Sequence, residues 1–248
     1  MATFPPIDMA IAAPAFRFVG DDEPGRGPRR LLQVLAGHDE NHNYPYCWGY
    51  TIFRTVYTPG SDEAFARAIE RLGIYAKAYV NDDIASKRPP NKEPRDPRPN
   101  QDLCSRYYNE VVEDGETLAN ASLEEVGRRF DAWINEHLTP DALQRGSGTS
   151  NARFRFCLML DQESVDNILA SPEEPYLSLR TDRQRQDGWV KVVTDEQRPE
   201  GGRLWFRVGI RHFLWSLWFD SQDPDFFLEE QEGVDEGDGV LTFMDHGR

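Results

Sequence analysis

Residues 153–161 alternate with a period of two: Arg153, Arg155, Cys157, Met159 and Asp161 fall on one side, Phe154, Phe156, Leu158 and Leu160 on the other. Successive side chains of a strand point to opposite faces, so this run predicts a strand with one greasy face. That face must be covered, and the chain carries helices able to cover it. Phe65, Ile69, Leu72, Ala76 and Tyr79 recur at helical spacing behind Ser61, which reads as a cap, with Asp62 and Glu63 in the first turn where carboxylates suit the helix dipole. Ser122 and Glu125 form a capping box before a second helix, whose Val126, Phe130, Trp133 and His137 share one face. A short third helix is expected over 164–170, ending before Pro172.

Further strands are expected at 48–57, which stops at a Thr-Pro-Gly turn, at 106–114, at 189–193 and at 204–211, with 213–219 continuing the sheet. The order of elements predicts an α+β fold: a ferredoxin-like layer, mostly antiparallel, with helices packed on one face and two half-units joined at 146–150. Residues 1–47 read as an extended arm around one short apolar stretch at 31–36, and 48–219 as a single domain. Within it, 81–100 holds five prolines, five basic and four acidic residues, a composition that predicts a mobile excursion. Residues 220–248 carry ten acidic side chains against one arginine and read as a solvated tail.

The formal charge of −15 over 248 residues opposes a nucleic-acid partner held mainly through phosphates. Cys47, Cys104 and Cys157 cannot all pair with one another and show no close Cys-x-x-Cys spacing, which favours a reducing compartment. With no run of roughly 20 apolar residues and no charged start leading into an apolar stretch, the expected location is the cytoplasm.

Four segments bear a family likeness. Residues 48–57, the Glu113-Asp114-x-x-Thr117-Leu118 turn with Ala121 and Ser122, residues 153–157 with Asp161, and residues 205–208 with Asp223-Pro224 resemble an uncharacterised family of fungal intracellular proteins. The resemblance covers roughly 48–227 and implies a fungal origin and one intracellular domain. It transfers no catalytic residue.

Parity along the strands singles out the candidate site. Arg153 and Arg155 alternate with phenylalanines, Trp189 and Lys191 with valines, and Trp205, Arg207 and Arg211 with apolar residues. On neighbouring strands they would place two indoles and five cations on one sheet face, able to stack a planar group and hold an anion. The competing reading is a set of solvent-facing cross-strand pairs. Glu110, Glu113 and Asp114 end one strand, Asp161 ends another, and His212 follows the last. Acid/base work is one reading of these groups, while salt bridges and turns are the other. By parity Arg54 and Tyr57 occupy opposite faces unless a bulge intervenes. His38 and His42 stand four apart near Cys47, but the glutamate is misplaced for a zinc-protease motif, and no metal is expected.

The expected function is small-molecule binding, extending to a cofactor-independent enzyme of fungal specialised metabolism acting on an anionic or carbonyl-bearing ligand. Arg153, Arg155, Lys191, Arg207 and Arg211 would hold the ligand, Trp189 and Trp205 would stack on it, and His212, Glu113, Asp114 or Asp161 would move a proton. Two alternatives are a protein-interaction module using the acidic tail and Pro-rich loop, and single-stranded RNA binding on the sheet. The second is opposed by net charge and by the lack of an RNP motif.

Overall fold

A computed structural model describes residues 4–12, 26–37, 44, 46–85, 96–138, 152–175, 188–194, 205–210, 218, 234–235 and 240–243. The elements are α1 (Met9–Ala12), α2 (Arg26–Ala36), β1 (Thr51–Arg54), α3 (Ser61–Val80), α4 (Asp82–Ala85), α5 (Arg98–Ser105), β2 (Glu110–Val112), α6 (Leu123–His137), a 3-10 turn (Ala152–Phe154), β3 (Phe156–Leu160), α7 (Gln162–Ala170), β4 (Trp189–Thr194), β5 (Trp205–Gly209), β6 (Val234–Asp235) and β7 (Leu241–Phe243).

The fold is mixed α+β, with the strands in one seven-stranded sheet of order β2-β1-β3-β4-β5-β7-β6. β1 lies parallel to both β2 and β3, β4 is antiparallel to β3 and β5, and β7 is parallel to β5 and antiparallel to β6. The sheet is therefore mixed, and the ferredoxin-like, mostly antiparallel expectation is corrected. Parallel pairing needs long crossovers, and the helical stretches between β1, β2 and β3 supply them.

Helices cover both faces, not one. Ile52, Phe156, Leu158, Leu160, Val190 and Val192 pack with Phe65, Leu72 and Tyr75 of α3 and Val165 and Ile168 of α7. The opposite parity, Phe53, Cys157, Met159 and Val193, packs beneath Val126, Phe130, Trp133 and Ile134 of α6. The side of β3 read as polar is thus a second core. Its first turn also breaks the alternation, since Arg153 and Phe154 lie in the 3-10 turn and Phe154 joins the α6 cluster.

Local signals explain the helix starts. Ser122 caps α6 by accepting the Glu125 N–H at 3.3 Å, as the capping box requires. The cap of α3 is Gly60, at φ 83°, and Ser61 does not cap it; its hydroxyl instead accepts a bond from Arg54. Within 1–47, residues 31–36 belong to the helix α2, whose Leu31, Leu32 and Leu35 enter the larger core, so this part of the expected arm is not extended. Likewise α4 and α5 begin inside the expected excursion. Pro99 sits in the first turn of α5, where its missing N–H costs nothing, and the side chain of Asn100 donates to Val80 O. Trp218 is helical and fully buried, donating through Nε1 to Gly49 O at 2.9 Å. Residues 86–95, 146–150 and most of 220–248 lie outside the described residues, but within the expected solvated tail β7 pairs with β5 and buries Phe243 in the larger core, so that part is no tail. No described helix is long and apolar enough to cross a membrane.

Gly49 stands where two backbones meet, at φ +129°, and a Cβ there would fall 2.3 Å from Tyr108 O. Gly49→Ala should destabilise the fold by about 3 kcal/mol, combining left-handed strain with a backbone clash. A urea midpoint shift far below this in equilibrium unfolding would show that the two segments separate easily.

Candidate functional site

The sequence-derived residues fall into three places. The first is the carboxyl edge of β1 and β2, where the chain diverges to α3 on one face and to α6 on the other. In open α/β sheets this divergence opens a ligand crevice. Here the chain fills it. Arg54 is buried and donates to Val56 O at 2.8 Å, Glu113 at 2.9 Å, the Ser61 hydroxyl at 3.0 Å, and Asp62. Its Cζ lies 4.6 Å from the Tyr57 ring centroid, which is possible because β1 ends at Arg54 and parity no longer separates the two residues. The Tyr57 hydroxyl accepts the Asp114 N–H at 2.9 Å, and its ring lies against Gly115. Glu113 is therefore an ion-pair partner. Asp114 is a half-buried residue leading into a turn, accepting from the Thr117 hydroxyl and from the backbone of Thr117 and Glu116, contacts that hold its pKa below the usual carboxylate range.

The second place is the amino end of the same strands. Arg153, expected on an open face, is fully buried, donating to Tyr50 O at 3.2 Å and to Tyr108 O. Its Cζ lies 4.7 Å from the Tyr44 ring centroid and 5.7 Å from that of Tyr108. The Tyr44 hydroxyl donates to Glu110, and burial together with that carboxylate pushes its pKa upward. Burial also raises the Cys47 thiol, outweighing the pull of Arg153. The imidazole of His137 stacks on Trp133 at 4.3 Å and faces Tyr44 at 5.8 Å, while Nδ1 meets Trp133 O at 2.7 Å, so that nitrogen carries the proton. This cluster locks segments together. Arg155 is separate, half-buried, with Cζ 5.5 Å from the Phe156 centroid.

The third place keeps part of the expected arrangement. β4 and β5 pair so that Lys191 is opposite Arg207 and Val193 opposite Trp205, and Arg207 is in turn opposite Thr242 of β7. The Arg207 Cζ lies 4.7 Å from the centroid of the half-buried Trp189, with Lys191 Nζ at 5.9 Å from the same ring. Trp189 and Trp205 stand four positions apart along the ladder, roughly 13 Å, too far to sandwich one small ring. Trp205 packs instead against the α6 cluster.

Lys191 reaches the end of β3, where it donates to Asp161 and, at 2.8 Å, to Glu163. Burial alone lowers a lysine pKa, but these two carboxylates outweigh it and hold Lys191 above its ordinary value. For Asp161, burial pushes upward, while the Lys191 bond and the Ser164 N–H outweigh it and leave the pKa below the ordinary value. Asp161 is also the N-cap of α7, accepting from Ser164 N at 2.9 Å. It is thus a cap and an ion-pair partner. Glu163 was missed in the sequence, because only the β3–β4 register shows that this turn faces Lys191.

Arg211 and His212, like His38 and His42, lie outside the described residues. Among the described residues no group of three or more His, Cys, Asp and Glu could hold a metal ion. No family model, curated protein or solved structure matches the chain.

Asp161→Asn keeps a capping side chain but loses the charge pair, and should cost about 1 kcal/mol near neutral pH. A depressed acid stabilises above its unfolded value and a raised lysine below its own, so the penalty should fill the window from about pH 4 to 10. It should vanish on acidification; a deficit unchanged at pH 3 would refute the pair's role. Asp161→Ala should lose about 1 kcal/mol more through the cap. Arg153→Met should cost about 2 kcal/mol by leaving the Tyr108 carbonyl without its arginine donor, Tyr50 O still accepting the Glu110 N–H, whereas Arg155→Met should cost about 0.5 kcal/mol. Equal chemical-denaturation midpoints for the two variants would contradict the placement of Arg153.

Proposed function

We propose that the chain binds a small anionic or carbonyl-bearing molecule at Trp189, Lys191 and Arg207. The observation that carries this reading is the cross-strand register of Lys191 with Arg207, together with the guanidinium backed by the Trp189 indole at 4.7 Å. A guanidinium held on an aromatic ring has little rotamer freedom left to lose, which favours recognition of a planar oxyanion. Arg153, Arg155 and Trp205 are no part of this site. Glu113, Asp114 and Asp161 are engaged in ion pairs, a turn and a cap, so the proposal is binding, with no reaction step assigned. The fungal resemblance, and with it a place in specialised metabolism, belongs to the same proposal and rests on the segments quoted above.

Tryptophan fluorescence tests it. Across a panel of small organic anions and ketones, at least one should quench or shift the emission of the wild type. The response should disappear in Trp189→Phe, weaken at least tenfold in Arg207→Gln, and survive in Trp205→Phe, given ~1.5–3 kcal/mol for a charge-assisted hydrogen bond. A silent panel, or a response indifferent to Trp189→Phe, would remove the site.

A further inference from the structure

We infer that the ligand is a carboxylate and that Glu163 occupies its place on Lys191 when the site is empty. The inference rests on the proposed binding site and deepens it. Two carboxylates share the Lys191 ammonium, and they are held differently. Asp161 is 25% exposed, bonded to the lysine and fixed from behind by its cap bond to Ser164 N. Glu163 is 53% exposed, and its carboxylate accepts from Lys191 at 2.8 Å. It stands in the first turn of α7, on a longer and more flexible side chain than Asp161.

The lysine is only 11% exposed, so an incoming anion must take the position that a carboxylate oxygen already holds. Releasing Glu163 to water is cheap, because an exposed carboxylate is readily solvated and its ion pair is weak. Asp161 cannot leave without uncapping α7. A ligand carboxylate in the Glu163 position would lie on Lys191 Nζ, 5.9 Å from the centroid of the Trp189 ring, with the Arg207 guanidinium, 4.7 Å from that same ring, placed to meet a longer ligand's planar group. A neutral amide of the same shape would not neutralise the lysine and would leave Glu163 in place. Glu163 is therefore a specificity residue: it sets the affinity threshold that a ligand acid must exceed.

Calorimetric titration with benzoate and 1-naphthoate, and with their amides, separates the possibilities. Glu163→Gln should bind the acids about fivefold more tightly than the wild type, with amide affinity unchanged. Acids that bind both proteins equally, or bind Glu163→Gln more weakly, would overturn the role of Glu163 while leaving the site itself standing. Failure of the acids to bind either protein would overturn the inference and the site together. Far-ultraviolet circular dichroism of Glu163→Gln should match the wild type, since the Asp161 cap and its bond to Lys191 are retained.

Discussion

A β-sheet can display polar side chains only on a face that nothing else covers, and the central strands of this chain have no such face. Every residue of β1 and β3 is buried, one parity beneath α3 and α7 and the other beneath α6. Parallel pairing and two-sided burial go together, because the crossovers that join parallel strands deliver helices to the faces. Among the described residues of β1, β3, β4 and β5, partial exposure is left only at Trp189 of β4 and at Trp205 and Arg207 of β5.

Buried guanidinium groups do much of the joining. Arg54, Arg71, Arg106 and Arg153 are all buried, and each donates to backbone carbonyls: Arg54 to Val56, Arg71 to Ser171 and Pro172, Arg106 to Pro5 and Tyr46, Arg153 to Tyr50 and Tyr108. The fork of donors suits carbonyls clustered where helices and loops end, several of which it shares with a second donor, as Tyr50 O does with the Glu110 N–H and Pro172 O with the Tyr75 hydroxyl. The contacts of Arg71 with Pro172 and of Arg106 with Pro5 each span 101 residues, so these side chains fix the relative position of remote segments. An arginine at such a point is a structural fastener although its residue type suggests surface.

Periodicity in the sequence located α3, α6, α7, β3, β4 and β5, and parity correctly put Lys191, Arg207 and the two tryptophans on one side. It could not tell that this side is covered for part of its length, because Cys157 and Met159 read equally well as an indifferent surface or as a second core. Arg153 misled for a local reason, since a 3-10 turn interrupts the alternation two residues before β3 begins. Tyr57 misled similarly, as a strand shorter than its apolar run lets Arg54 fold over it. The ion pairs at Lys191 depend on which residues of β3 and β4 are partners, and register between distant segments is not written in either segment alone.

The direction of the strands has a consequence for synthesis on the ribosome. The β4–β5 ladder joins near neighbours in the chain, but β1 waits for β3, whose Leu160 receives the Thr55 hydroxyl across 105 residues. At ordinary elongation rates that interval is roughly 5–20 s, during which Ile52 and Phe53 have emerged and β3, one of their two partner strands, has not. For that time α3, already complete beside β1, is the nearest cover for one side of it. A nascent chain stalled between the two strands would therefore hold its most apolar segment half-sheltered, and would be the form of this protein most in need of a chaperone.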